Sequence, residues 1–344
     1  MTMLHQISRR LALGVGVPLT ALAMASSPAL AQAVTLKFAN FVGPTSALTV
    51  KIFQPWFKQI EDDAGGAVKI EFLSGAAAAK PNEVMDAVRA GLVDLGWSST
   101  SYNPGRFNAA GVTELPSLMR SPAEGAAGLA EVYEKGLLDG FGGVKVLGVF
   151  TSDVSILNHS GEVKALADFR GAKLRAAGPV ISGMVEKIGG SPVAVPITSL
   201  AEGLAKKVVD GAVADWFSME GFRLIDVTKT HLNLAVGAAG MYLVINKAKY
   251  DALPPKVKAA FDKYSVRDFA MFWGTRLTKE SDRVRQIVAA SAGHKVLEPT
   301  PEDKATWEAA SKAVIEAWAK KTPNGPAVLE AFQKGVKDHA ASAK

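Results

Sequence analysis

Twice between Val34 and Trp97 the apolar residues change from the two-residue period of a strand to the period of a helix and back. Val34 to Asn40 alternates, Phe53, Trp56, Phe57 and Ile60 carry helical spacing over Gln54 to Asp63, and Val68 to Leu73 alternates again. A helix over Asn82 to Ala90 and a strand over Val93 to Trp97 complete the series. Strands separated by helices return in the same direction, so a βαβαβ order predicts a mostly parallel sheet covered by helices. The alternation recurs between Gly171 and Gly211: a strand through Leu174, a helix over Pro179 to Ile188, a short strand in Pro192 to Pro196, and a helix over Ser199 to Val208. The two stretches also echo each other. Arg89-Ala90-Gly91-Leu92-Val93-Asp94 leads to Trp97, and Lys206-Lys207-Val208-Val209-Asp210-Gly211 leads to Trp216. The echo is either an internal repeat or the ordinary likeness of helix-to-strand turns. In both cases, two α/β lobes facing a cleft are the simplest architecture for about 310 residues.

That length excludes Met1 to Ala31, which has the form of an export leader. Arg9 and Arg10 supply the charge, Leu11 to Met24 is apolar without an ionised group, and Ala29-Leu30-Ala31 offers small residues for cleavage after Ala31, with Ala33 the next choice. Ser8-Arg9-Arg10-Leu11-Ala12-Leu13 also resembles a twin-arginine signal. The chain has no cysteine, hence no lipid attachment site, disulfide or thiolate metal site. A formal net charge of +6, two units of it in the leader, without a basic cluster interleaved with aromatics, argues against a nucleic-acid partner.

From Leu253-Pro254-Pro255 to Ala292 the sequence predicts one long helix crossing both lobes. Val257, Phe261, Tyr264, Phe269, Phe272, Leu277, Val284 and Ile287 form its buried stripe, with a bend near Gly274. Two outer helices are predicted over Pro301 to Lys320 and Gly325 to His339, and Ala340 to Lys344 should fray.

Arg175 lies where a strand ends and a helix begins, the edge at which α/β sheets hold ligands. Its planar fork suits a carboxylate, and the alternative is a surface arginine. Trp97 and Trp216 follow the two Val-Asp turns and serve either as cleft walls or as core. Phe41 faces the same choice, and the Val42 to Ser46 loop after it offers backbone donors. Asp215 either accepts a hydrogen bond from a ligand hydroxyl, helps to hold a cation, or is a loop acid meeting water. His5, His159, His231, His294 and His339 are scattered, and no Gly-x-Ser-x-Gly elbow, His-Glu-x-x-His helix or phosphate loop occurs. A secreted hydrolase with an unfamiliar site is the alternative to a binding protein.

Leu166-Ala167-Asp168-Phe169-Arg170-Gly171-Ala172-Lys173-Leu174-Arg175, the Val209-Asp210-Gly211 turn, and Met241 to Asn246 followed by Leu253-Pro254 resemble the substrate-binding proteins of tripartite ATP-independent periplasmic (TRAP) transporters. The resemblance spans nearly the whole chain after the leader. It implies a two-lobed α/β periplasmic binding protein with a ligand cleft between the lobes and a long helix crossing both. Lobe I would be 32–152 plus 241–278, and lobe II 153–240 plus 279–344, hinged near Ser152, Gly240 and Gly274. It further implies a small organic acid clamped at Arg175 and delivered to membrane subunits of the transporter, by a periplasmic monomer that is not an enzyme. Many relatives carry a second basic residue where this chain reads Thr151-Ser152-Asp153-Val154-Ser155, which disfavours a dicarboxylate. Trp97-Ser98-Ser99-Thr100, Trp216-Phe217 and the Gly237 to Gly240 run favour an apolar or aromatic body. The expected ligand-binding set is Arg175, Asn40, Phe41, Trp97, Ser99, Thr100, Asp215, Trp216, Phe217 and Ala239, with no catalytic residue, metal or cofactor.

Overall fold

The first strand buries Phe38 completely, and three rings close on it: Phe53 at 5.1 Å, Phe57 at 4.9 Å and Phe72 at 5.2 Å between centroids. This aromatic knot fixes the first βαβ unit of the computed structural model, which describes residues 33–342. The leader therefore lies outside the described residues. Chain order begins β1 (Val34–Asn40), α1 (Gln54–Asp63), β2 (Val68–Ser74), α2 (Val84–Arg89), β3 (Leu95–Ser99), α3 (Pro122–Glu134) and β4 (Val144–Thr151). It continues β5 (Ser155–His159), β6 (Lys173–Ala176), α4 (Pro179–Lys187), β7 (Ser191–Ala194), α5 (Leu200–Ala205), β8 (Gly211–Asp215) and α6 (Trp216–Gly221). The remainder is β9 (Thr230–Gly237), β10 (Gly240–Asn246), α7 (Lys247–Asp251), α8 (Pro255–Lys263), α9 (Arg267–Ala290), β11 (Lys295–Leu297), α10 (Pro301–Lys321) and α11 (Gly325–Ser342).

The strands form two sheets, ordered β2-β1-β3-β10-β4 and β11-β9-β5-β8-β6-β7. As the βαβαβ pattern predicts, β1 runs parallel to β2 and β3, and β6 runs parallel to β7 and β8. β10 returns antiparallel between β3 and β4, and β5 antiparallel between β8 and β9. The chain crosses between the sheets from β4 to β5 and from β9 to β10. These two crossings are bonded side by side: the Ser152 N–H donates to the Ala239 carbonyl at 2.9 Å, and the Ala239 N–H to Ser152 Oγ at 3.0 Å.

Four expectations need correction. The long helix is two, α8 and α9, interrupted at Tyr264 to Val266, where Val266 takes a positive φ of 55°. Tertiary bonds impose the break: the Val266 N–H donates to the Leu147 carbonyl of β4 at 2.6 Å, and Trp56 Nε1 to the Tyr264 carbonyl at 2.9 Å. Gly274 is no bend but a contact inside α9, since a Cβ there would sit 2.6 Å from Ala123 Cα of α3. Ile287 is exposed while Trp273 and Val288 are buried, which shifts the stripe by one residue. Finally, α11 stays helical to Ser342 and packs on α3, with Gly335 against the Ala127 carbonyl and Phe332 against Gly128.

Candidate functional site

Parallel strands that end side by side leave their last residues facing the crevice beyond the sheet. Phe41 beyond β1, Arg175 on β6 and Asp215 ending β8 come together in this way around one cavity of about 60 Å³. Ser152, Asp153 and Ala239 of the crossings and Trp273 of α9 close it.

Arg175 is 5 % exposed. Its Nε donates to the Val195 carbonyl at 2.9 Å and its Nη1 to the Val213 carbonyl at 3.1 Å, which aims the fork without neutralising it. Among the described residues no carboxylate makes an ion pair with Arg175, although Glu114 and Asp215 are near enough for its charge to favour their ionised forms. Glu114 is buried behind the cavity, accepts from the Ser101 hydroxyl and from the Ile181 N–H at 3.4 Å, and is pushed upward in pKa by burial.

One wall is aromatic. Phe41 stacks on Trp97 at 4.3 Å between centroids, and Trp273 stands 6.0 Å from Trp97. Two hydrogen bonds lock these indoles: Trp97 Nε1 to Asn40 Oδ1 at 2.9 Å, and Trp273 Nε1 to the Thr151 carbonyl at 2.8 Å. Phe217 completes the apolar lining from the second sheet's side.

The opposite polar edge holds two acids. Asp215 caps α6, its Oδ1 accepting from the Ser218 N–H at 2.8 Å, and burial pushes its pKa upward against the pull of Ser218 and Arg175. Asp153 Oδ1 accepts from the Val154 N–H at 2.7 Å, while its buried Oδ2 has no partner. Burial first, and the neighbouring Asp215 next, push Asp153 up to about 7.

Of the residues predicted from sequence, Arg175, Phe41, Trp97, Asp215, Phe217 and Ala239 line this cavity. Four do not. Asn40 is fully buried behind Trp97, its Nδ2 bonded to Thr49 Oγ1 at 2.8 Å. Ser99 and Thr100 turn their hydroxyls to the Gly240 carbonyl at 3.3 and 3.1 Å, tying β3 to the crossing. Trp216 faces a neighbouring cleft with Arg285, its ring 5.6 Å from His231, because consecutive helical residues point about 100° apart and Phe217 takes the inward direction. Sequence reasoning missed Asp153 and Trp273 as lining residues. It also missed that His231 and His294 meet, Nε2 to Nδ1 at 3.0 Å, with His231 Nδ1 2.7 Å from Asn158 Oδ1. Among the described residues no group of three or more side chains is arranged to hold a metal.

Residues 38–322 match the model of the bacterial extracellular solute-binding protein family 7. A crystal structure of a TRAP solute binding protein from an unidentified marine microbe, specific for aromatic acid ligands and solved with metahydroxyphenylacetate, superposes with a TM-score of 0.84 at 26% identity, covering 89% of this chain and 99% of that one. TsaT of Comamonas testosteroni, an outer membrane transporter protein by name, is 26% identical over 73% of this chain and 76% of its own. DctP of Rhodobacter capsulatus, a C4-dicarboxylate-binding periplasmic protein, is 24% identical over 88% and 91%.

Proposed function

The chain belongs to the bacterial extracellular solute-binding protein family 7, as a TRAP-type solute-binding protein, and on that premise we propose that its cavity captures a monocarboxylate with an aromatic or branched apolar body. The observation that carries this is Arg175: a buried guanidinium, oriented by two carbonyls, with no anion of its own and an aromatic wall opposite. A buried charge without a partner is costly, so an incoming carboxylate is the group the site lacks. Phe41, Trp97 and Phe217 then shed water onto the ligand's apolar body at about 25 cal/mol per Å² buried. The polyhydroxylated body of a sugar acid would need partners that these side chains do not supply. The aromatic-acid specificity of the marine relative agrees with this choice over the dicarboxylates of the Rhodobacter relative.

The ligand is held and released unchanged, in the periplasm, by a monomer that passes it to the membrane subunits of its transporter. No described helix is long and apolar enough to cross a membrane. Lobe I is 32–152 with 241–278, joined by α11, and lobe II is 153–240 with the rest.

Calorimetry of benzoate and succinate binding tests the proposal. Benzoate should bind more tightly. Arg175→Ala should weaken it by roughly 30-fold to several thousand-fold, the 2 to 5 kcal/mol of a broken buried charge pair. Arg175→Lys should restore only part, since an ammonium lacks the planar two-bond geometry. Near-native affinity in the alanine variant, or tighter binding of succinate, would sink it.

A further inference from the structure

Asp153 lies in the Thr151 to Ser155 stretch and lines the same cavity as Asp215, yet neither belongs to the carboxylate clamp. Asp215 ends β8 in register with Ser155, the first residue of β5, and Asp153 lies two residues before Ser155 in the crossing, so the two acids reach the cavity from neighbouring segments. Their supply of donors is short. Asp153 is 6 % exposed, one oxygen takes the Val154 N–H, and the other is buried without a partner. Asp215 commits Oδ1 to the Ser218 N–H at the cap of α6, and the Ser218 hydroxyl beside it also favours its ionised form.

The charges around Asp153 come from several elements. Arg175 stands on β6 and Asp215 at the end of β8, Ser281, Asp282 and Arg285 face from α9, and Arg120 lies at the far rim of the adjoining cleft. One guanidinium inside the cavity cannot balance two ionised acids and a ligand carboxylate together. Two close carboxyls in that position keep one proton, as like charges disfavour double ionisation. The upward displacement of both acids by burial agrees with this.

We propose that Asp153 and Asp215 hold one proton between them and form a second recognition group, which takes a hydroxyl at the end of the ligand remote from its carboxylate and turns away a second carboxylate. The inference rests on this cavity being the ligand site. A singly protonated pair offers both an O–H donor and a free acceptor oxygen, which matches a hydroxyl that accepts and donates. A second ligand carboxylate offers only acceptors and brings a charge of the wrong sign. The ligand class narrows to hydroxylated aromatic monocarboxylates.

The test is calorimetry on the full chain with benzoate, 3-hydroxybenzoate and isophthalate. The native protein should prefer 3-hydroxybenzoate to benzoate by about tenfold or more, the yield of one charge-assisted hydrogen bond, and bind isophthalate at least about tenfold more weakly than benzoate. Asp215→Asn should shrink the ratio of 3-hydroxybenzoate to benzoate affinity to within about threefold, whatever its effect on benzoate itself, since a neutral acceptor replaces a charged one. Combining it with Asp153→Asn should raise isophthalate affinity by about tenfold or more, as the repelling charge is gone. Asparagine keeps an oxygen for the Val154 and Ser218 N–H groups, so the local caps survive. If Asp215→Asn nevertheless fails to fold, Asp153→Asn carries the same comparison. Titrations near neutral pH in two buffers of unequal ionisation heat give a second readout: Asp153, raised to about 7, is partly ionised there, so benzoate binding should take up a fraction of one proton in the native protein as the pair's protonation is completed, and less in Asp153→Asn. A hydroxyl preference below about threefold in the native protein, or one unchanged in the variants while benzoate binds, overturns the inference. Failure of the native protein to bind either monocarboxylate overturns the ligand-site reading itself, and the inference with it.

Discussion

Asp153 and His231 tie the stability of the fold to pH in opposite senses. Burial raises Asp153 to about 7, above the value of about 3.9 for an exposed aspartate, so the folded state binds that proton more tightly than the unfolded chain. Its contribution to stability is complete below about pH 4 and is lost as pH rises through about 7. Asp153→Asn should therefore melt higher than the native protein above pH 7, with the difference shrinking toward pH 4. His231 is pushed down to about 4 by burial and then by His294, so it is neutral in the fold. Its contribution is present above about 6.5 and fades as pH falls toward 4. His231→Gln should flatten that acid limb. Melting curves of each variant minus native separate the two slopes, and a native-like pH profile in either variant would refute its assignment. The same two residues mark where the sequence stops informing. Arg175, Phe41 and Trp97 were legible because their types and strand-end positions both suit a ligand. Asp153 was legible only as the absence of a basic residue, since its meeting with Asp215 depends on where the crossing passes the end of β8. Asn40 is the last residue of β1 and is spent inside the fold on Trp97 and Thr49, while Phe41, the next residue, lines the cavity, a division that type and position alone do not reveal.

At the scale of elements, the packing of α9 on α3 depends on Gly274, because the two backbones meet where a Cβ would lie 2.6 Å from Ala123 Cα and 3.1 Å from its N. A backbone neighbour cannot swing aside as a long side chain can. Gly274→Ala should cost about 1 to 3 kcal/mol by overpacking, despite the better helix propensity of alanine. Denaturant unfolding measures it, and a stabilised variant would mean that the helices separate freely. Periodicity made most of the secondary structure legible: the βαβαβ order, the helix after Arg175 and the outer helices all lie within a few residues of their predicted bounds. It failed at Val266. No glycine or proline signals that break, and a β-branched residue at φ 55° is locally unfavourable. The break is decided by Leu147 and Trp56, which are distant in sequence, so local pattern had no access to it.

For the whole molecule, the decisive fact is that the cavity draws on both sheets. Phe41 and Trp97 come from the first, Arg175 and Asp215 from the second, and a ligand touching all four favours the arrangement in which the sheets are close. Ser152 and Ala239 bond the two crossings to each other, and there we propose the hinge. α9 links the halves: its first part is pressed on α3 at Gly274, and farther along Arg283 pairs with Glu220 of α6. Small backbone rotations at Ser152 and Ala239, with slight flexing of α9 between these anchors, suffice for a hinge motion. Small-angle scattering should accordingly report a smaller radius of gyration when benzoate saturates the native protein. Arg175→Ala, at the same benzoate concentration, should keep the larger radius, since closure is driven only by a ligand that bridges the sheets. An unchanged profile under conditions where calorimetry registers full occupancy would mean that the ligand enters a cavity already closed, by side-chain movement at Phe41 and Phe217 and not by rotation about the crossings.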